Sequence, residues 1–177
     1  MRLAQAPELW LFCLDFTKLL RTTDLKLPIP FDLFFAGIND TSICCQSALV
    51  AAESKGLSCV IVGGIKRSLS ELCALLNLPQ GVAPVVGLCL GYGDPEFFEQ
   101  QKPRMPESWT FMENTYQDNF NEVELDSYNQ EMFDYYVSRK TNNKGQTWSE
   151  AAQEMLAKQP KVSALIELYK KQGISFE

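Results

Sequence analysis

The sequence predicts a fold in which a sheet is sandwiched between helices, and three observations predict it. A long apolar helix from Phe34 gives way at Gly56 to the β-branched run Cys59-Val60-Ile61-Val62, a pattern that suits a strand covered on both faces. A second near-continuous apolar run, Val85–Tyr92, reads the same way. Helix-start signals fall between and after these runs, so helices and strands are mixed along one chain.

Composition bounds what such a chain can do. Its 177 residues, 46% apolar and 21% charged, suffice for one domain, 1–177, with a sizeable core. The net charge of −6 offers nothing in bulk to nucleic acid, so any anion must be caught by a local basic cluster. No run reaches the ~18 apolar residues of a membrane helix, and Leu9–Leu14 is too short and too far from a basic start for a signal peptide. No membrane association is therefore expected. The six cysteines stand in apolar surroundings without a CxxC, which predicts buried free thiols in a reducing cytoplasm. There is no histidine. That excludes Ser-His-Asp and Cys-His dyads and histidine zinc sites within the chain; an enzyme without histidine can still work if a cofactor carries the reactive chemistry.

In order, Arg2–Ala6 reads as the tail of a helix and Leu9–Leu14 as a buried strand ending at Asp15. Thr22–Pro30, with two prolines, is a loop. The helix Phe34–Lys55 follows, Gly56 being its C′ residue, and then the strand Leu57–Val62. Ser68 and Glu71 make a capping box for a helix to about Leu76, with Pro79 barring its continuation. After the second strand, Gly91, Gly93 and Pro95 open a loop. Gln101–Arg104 is too proline-rich for regular structure, and Trp109–Met112 reads as a short edge strand. Val123–Ser138 is a helix with Tyr128, Met132, Tyr135 and Tyr136 on one face. Arg139–Gln146 is a basic loop, and Thr147 with Glu150 caps Trp148–Lys158. Pro160 suits the first turn of a last helix that Gly173 closes.

Three features bear on chemistry. Gly63-Gly64 directly follows a strand and leaves amides without side chains in the way, although two glycines in that place ordinarily just make a turn. The spacing is not the G-x-G-x-x-G of a dinucleotide-binding turn. Lys102-Pro103-Arg104 sets two cations two residues apart on a stiffened backbone, a geometry that can clamp a phosphate and also one that a solvated loop adopts. Arg139, Lys140 and Lys144 cluster in one loop and can attract a second phosphate; Arg139 equally suits a helix C-terminus.

Several segments, taken in order, resemble a known family: Gln46–Ser54, Val62-Gly63-Gly64-Ile65, Gly87–Tyr92, Lys102-Pro103-Arg104-Met105-Pro106, Glu113-Asn114-Thr115-Tyr116-Gln117, Tyr135-Tyr136 through Arg139, Asn142-Asn143 and Thr147-Trp148-Ser149. The chain looks like the oxygen-insensitive, NADPH-dependent nitroreductases and flavin reductases of the FMN-binding nitroreductase superfamily. The resemblance implies an α+β, three-layer fold with a mixed, mostly antiparallel central sheet between helices. It implies an FMN-dependent homodimer that passes hydride from NADPH to nitroaromatics, quinones or free flavin by a ping-pong route. Ile61, Val62, Gly63 and Gly64 would line the isoalloxazine, the glycine amides near its reactive edge. Lys102 and Arg104 would hold the FMN phosphate, and Arg139 and Lys144 the 2′-phosphate of NADPH. No metal is implied.

The sequence also departs from the family pattern. Ile61 stands where tyrosine is common, and Lys144 where arginine is usual, which weakens bidentate phosphate recognition. Relatives open with two further helices and an Arg-Ser-x-Arg-type motif that grips FMN, so the chain is expected to be N-terminally incomplete relative to the family. The alternative function is accordingly a truncated non-catalytic remnant or a dimerising flavin-binding module, with the apolar helix Phe34–Lys55 as the dimer face.

Overall fold

A computed structural model describes residues 6–93, 101–140, 142–158 and 164–176. Two compact units emerge: Met1–Gly93 with Val162–Glu177, and Asp94–Lys161. The predictions at Arg2–Gln5, Pro95 and Pro160 lie outside the described residues.

The first unit is built on a three-stranded antiparallel sheet in the order β1-β3-β2, with β1 at Glu8–Asp15, β2 at Ser58–Val62 and β3 at Val82–Gly91. The central strand carries the core: Ala83, Leu88, Cys89 and Leu90 are buried. Helix α2, Phe31–Glu53, packs on this sheet through Cys45, Ala48, Leu49 and Ala52, which meet Leu88 and Leu90. A short helix α1, Thr17–Thr22, precedes it, and α3, Leu69–Leu75, lies between β2 and β3. β1 and β3 fall out of step at one point. Phe12 pairs with Val86 and Cys13 with Pro84, so Val85 is an extra residue, a bulge. The Pro84 carbonyl beside it accepts a hydrogen bond from the Tyr169 hydroxyl at 3.0 Å. Tyr169 belongs to α7, Ala164–Lys171, and its ring meets Phe34 edge-on at 4.9 Å. After α7, Gly173 takes φ +83, and the chain pairs with Ile29, whose N–H donates to the Gly173 carbonyl at 2.7 Å. A core of Leu14, Phe16, Ile29, Phe34, Leu69 and Tyr169 therefore joins residues from both ends of the sequence.

The second unit is helical: α4, Glu107–Thr110; α5, Glu122–Ser138; and α6, Trp148–Ala157. Asn121 caps α5 by accepting from the Val123 and Glu124 amides, and Thr147 with Glu150 forms the predicted capping box on α6. Asn129 clamps α6 to α5: its Nδ2 donates to Ser149 Oγ and its Oδ1 accepts from the Ser149 amide, each at 3.0 Å.

The mixed helix-and-strand class holds, with several corrections. The run Cys59–Val62 is an edge strand, not one covered on both faces; Val60 and Ile61 remain 42% and 47% exposed. Trp109–Met112 is not a strand. α4 ends at Thr110, the Trp109 indole donates to Glu124 Oε2 at 2.8 Å, and its ring stacks near Phe120. Ser68 makes no side-chain cap bond, so the first capping box does not form. All six cysteines are free, but only Cys45 and Cys89 are buried and Cys44 is exposed. Adjacent helical residues point about 100° apart, so Cys44 and Cys45 cannot both face the sheet. Finally, α2 is long and apolar enough, by length and composition, to cross a membrane. A count of unbroken apolar residues missed this because Thr41, Ser42 and Ser47 interrupt the run. Their hydroxyls donate back to Gly37, Ile38 and Ile43 carbonyls, satisfying themselves within the helix. In this fold α2 is a sheet-packing helix that leaves Phe35, Ile43 and Val50 exposed.

Candidate functional site

The candidate residues fall in both units. In the first, β2 ends at Val62 and the chain enters a 3-10 helix, Gly63–Ser68. Ile65 is buried beneath it and lies against the position of Gly87 on β3, where a Cβ would stand 3.2 Å from Ile65 Cγ2. That close approach anchors the corner to the central strand. Gly63 and Gly64 themselves are exposed, and a Cβ on either would meet nothing within 4 Å. Neither has the positive φ seen at Gly56, Gly81 and Gly173. Backbone strain therefore does not require glycine at 63 or 64, and neither does crowding. What the two glycines do is leave a strip of main chain bare, next to the exposed side chain of Ile61 and the half-buried Val62. Lys66 and Arg67 follow within one turn, two exposed cations that the motif reading passed over.

In the second unit, residues 101–106 have no regular structure, as predicted. Lys102 and Arg104 are both exposed but turn to different surroundings. Lys102 Nζ sits 5.8 Å from the centroid of the Tyr136 ring. Arg104 lines an open pocket of about 180 Å³ with Pro106, Glu124, Ser127, Tyr128 and Glu131. Two carboxylates thus share the space into which Arg104 would bring an anion.

Arg139 is the C-cap of α5. Its guanidinium carbon lies 5.6 Å from the Tyr135 centroid and 5.9 Å from that of Tyr136, within cation–π range. The loop after it is held by its own polar groups. Asn143 Nδ2 donates to the Val137 carbonyl at 2.7 Å, and Asn142 takes φ +52. Gly145 packs against Phe133. Lys144 is exposed on this loop, and Gln146 donates to Glu154 Oε2. Hydrogen bonds from Lys158 and Gln146 pull the Glu154 carboxyl down to about 2, with a smaller contribution from the Lys144 charge.

The structure therefore brings Lys102 and Arg139 onto one aromatic ring, although sequence reasoning assigned them to different phosphates. By pattern Tyr136 shares one face of α5 with Tyr128, Met132 and Tyr135. The signal for its meeting Arg139 is its spacing, three residues before that residue at the end of a helix, where side chains at i and i+3 meet. Among the described residues no group of three or more His, Cys, Asp or Glu side chains could hold a metal ion.

Comparison with known proteins covers most of the chain. The profile of the Nitroreductase family matches residues 32–92, and that of the Nitroreductase family, C-terminal domain, matches 102–177. An oxygen-insensitive NADPH nitroreductase of Salmonella typhimurium is 38% identical over 171 residues, 96% of this chain and 69% of that protein. An NADPH-flavin oxidoreductase of Vibrio harveyi is 37% identical over 86% of this chain and 62% of its own length. The solved structure of an NADPH:FMN oxidoreductase from Vibrio harveyi complexed with NAD+ superposes with a TM-score of 0.82 at 30% identity, covering 97% of this chain and 69% of that one. The chain thus spans between three fifths and seven tenths of the length of these relatives.

Proposed function

Because the chain belongs to the nitroreductase family, we propose that it is an FMN-dependent oxidoreductase that draws on NADPH and reduces nitroaromatics, quinones or free flavin by a ping-pong route. The observation that carries this reading is the bare main chain at Gly63-Gly64, where neither φ nor packing calls for glycine. A flat ring can approach such a strip, and a side chain on either residue would stand in its way. FMN, when bound, supplies the hydride-transfer chemistry. The chain's residues bind and orient it: Ile61, Val62, Gly63 and Gly64 line the ring, and main-chain N–H groups stabilise negative charge at its edge. Lys102 and Arg104 hold the phosphate, with Glu124 and Glu131 tempering the charge at Arg104. Arg139 and Lys144 receive the 2′-phosphate of NADPH.

The protein acts as a homodimer, a reading supported by the exposed Phe35, Ile43 and Val50 on α2. A reducing cytoplasm suits its six free thiols. Residues 1–177 function together as one nitroreductase-like domain.

Reconstitution with FMN tests this directly. The protein is expected to take up FMN and to oxidise NADPH when given a nitroaromatic or a quinone; a colourless protein under excess FMN refutes it. Stoichiometric FMN without NADPH oxidation would instead select the flavin-binding module. Arg104→Ala should weaken FMN about tenfold or more, because it leaves a phosphate charge without its partner. Arg139→Ala should raise KM for NADPH and leave NADH little changed.

A further inference from the structure

Tyr136 stands where two cations meet. Lys102 Nζ lies 5.8 Å from its ring centroid and the Arg139 guanidinium carbon 5.9 Å, and Tyr135 meets the same ring edge-on at 5.2 Å. Lys102 arrives from an irregular segment and Arg139 from the end of α5, so the two approaches are independent in the chain. Each cation rests against the negative face of an aromatic ring, an attraction that weakly fixes an otherwise mobile side chain. Long charged side chains lose considerable rotamer freedom when a ligand orders them. A ring that already holds the head group lowers that cost before any ligand arrives.

From this geometry we infer that Tyr136 is a positioning residue shared by the two phosphate-binding functions: it preorganises Lys102 for the FMN phosphate and Arg139 for the 2′-phosphate of the nicotinamide nucleotide. The inference rests on the roles assigned to Lys102 and Arg139 above. Its consequence is specific. One substitution at a residue that touches neither phosphate should weaken FMN and also erode the preference for the phosphorylated nucleotide. The ring face, not the hydroxyl, is the working part, so phenylalanine should substitute and leucine should not.

The test measures binding without turnover. FMN affinity is read from quenching of flavin fluorescence, and the selectivity of the FMN-loaded protein from titrations with NADP+ and NAD+. Four variants are compared: Lys102→Ala, Arg139→Ala, Tyr136→Leu and Tyr136→Phe, with Tyr136→Met in reserve should the leucine variant not fold. Tyr136→Leu is expected to weaken FMN and to lower the NADP+ to NAD+ preference, each by about twofold to fivefold, while Tyr136→Phe stays close to the parent. If Lys102→Ala and Arg139→Ala show their effects but Tyr136→Leu shows neither, the shared platform is refuted and the assigned roles stand. If leucine and phenylalanine are equally damaging, the hydroxyl rather than the ring face is responsible and the inference falls. If Lys102→Ala leaves FMN unchanged and Arg139→Ala leaves selectivity unchanged, the assigned roles fail and the inference fails with them.

Discussion

The sheet unit and the helical unit are held by different forces, and each presents the kind of surface its construction allows. The sheet unit closes over apolar side chains from distant parts of the chain, with Leu88 of β3 fully buried and Ile29 and Ile174 joined by a bridge. The helical unit buries Tyr128 and Met132, and fixes its helices and loops by polar contacts: the Asn121 cap, the Asn129–Ser149 clamp, the Thr147–Glu150 box and the Trp109–Glu124 bond. The first unit offers bare backbone at Gly63-Gly64, which is useful only if a rigid core keeps that backbone still. The second offers Lys102, Arg104, Arg139 and Lys144, long cations that tolerate small movements of their support. Bare backbone goes with deep packing here, and exposed charge with surface polar contacts.

The largest break in this contrast should come from the central strand. Leu88→Ala deletes a side chain with no exposure between α2 and the sheet and should cost about 2–5 kcal/mol, read as a fall in the urea midpoint. An effect below about 1 kcal/mol would mean that the sheet unit does not depend on its core in the way described.

Tyr169→Phe probes a long-range side-chain hydrogen bond in that apolar setting. It removes the donor to the Pro84 carbonyl at the bulge and should cost about 1–3 kcal/mol. Its pH signature is distinct. Burial, with smaller contributions from Cys73 and Cys13, pushes the Tyr169 hydroxyl up to about 12. The folded value lies above the unfolded one near 10, so its stabilising contribution is complete below about pH 10 and is lost as pH rises toward 12. The parent should therefore lose stability between about pH 10 and 12 by more than Tyr169→Phe does. Parallel pH profiles for the two proteins would contradict this.

In the helical unit, Asn129→Ala removes both bonds to Ser149 and should cost about 1–3 kcal/mol. Because that clamp fixes the start of α6, it should also increase hydrogen exchange at the amides of residues 148–150. Unchanged exchange there would show that the capping box alone holds the helix end.

How far the fold could be read from the sequence follows the same divide. Long helices announced themselves: an apolar stretch with almost no charge located α2, and a one-faced aromatic pattern located α5, to within three residues at their starts. A β-branched run gave the β2 strand but not its place in the sheet, because Val60 and Ile61 look alike in a central strand and at an edge, and sheet order is decided by residues far away in sequence. Trp109 and Phe111 carry strand propensity, yet an indole N–H with Glu124 in reach is better served by one turn of helix. At the candidate site, residue types with distinct chemistry were visible: paired glycines and paired cations. Their grouping was not, because the ring that collects Lys102 and Arg139 is a tyrosine indistinguishable by pattern from the core aromatics of the same helix.

The smallest effect is also the sharpest test of what local sequence can specify. Ser68-x-x-Glu71 and Thr147-x-x-Glu150 are the same motif, but only the second forms its box. Thr147 has φ −72 and ψ 167, the extended geometry that aims a cap hydroxyl at the N3 amide, and it accepts from Glu150 N at 3.2 Å while its own amide donates to Glu150 Oε2. Ser68 has φ −128 and ψ 32, because it closes the 3-10 helix that begins at Gly63. Buried Ile65 and Leu69 on either side hold that backbone in place, so the hydroxyl cannot reach. Thr147→Ala should therefore cost about 1 kcal/mol, and Ser68→Ala no more than about 0.5 kcal/mol. Equal losses at the two positions would mean that the motif, and not the backbone set by the packing around it, determines the cap.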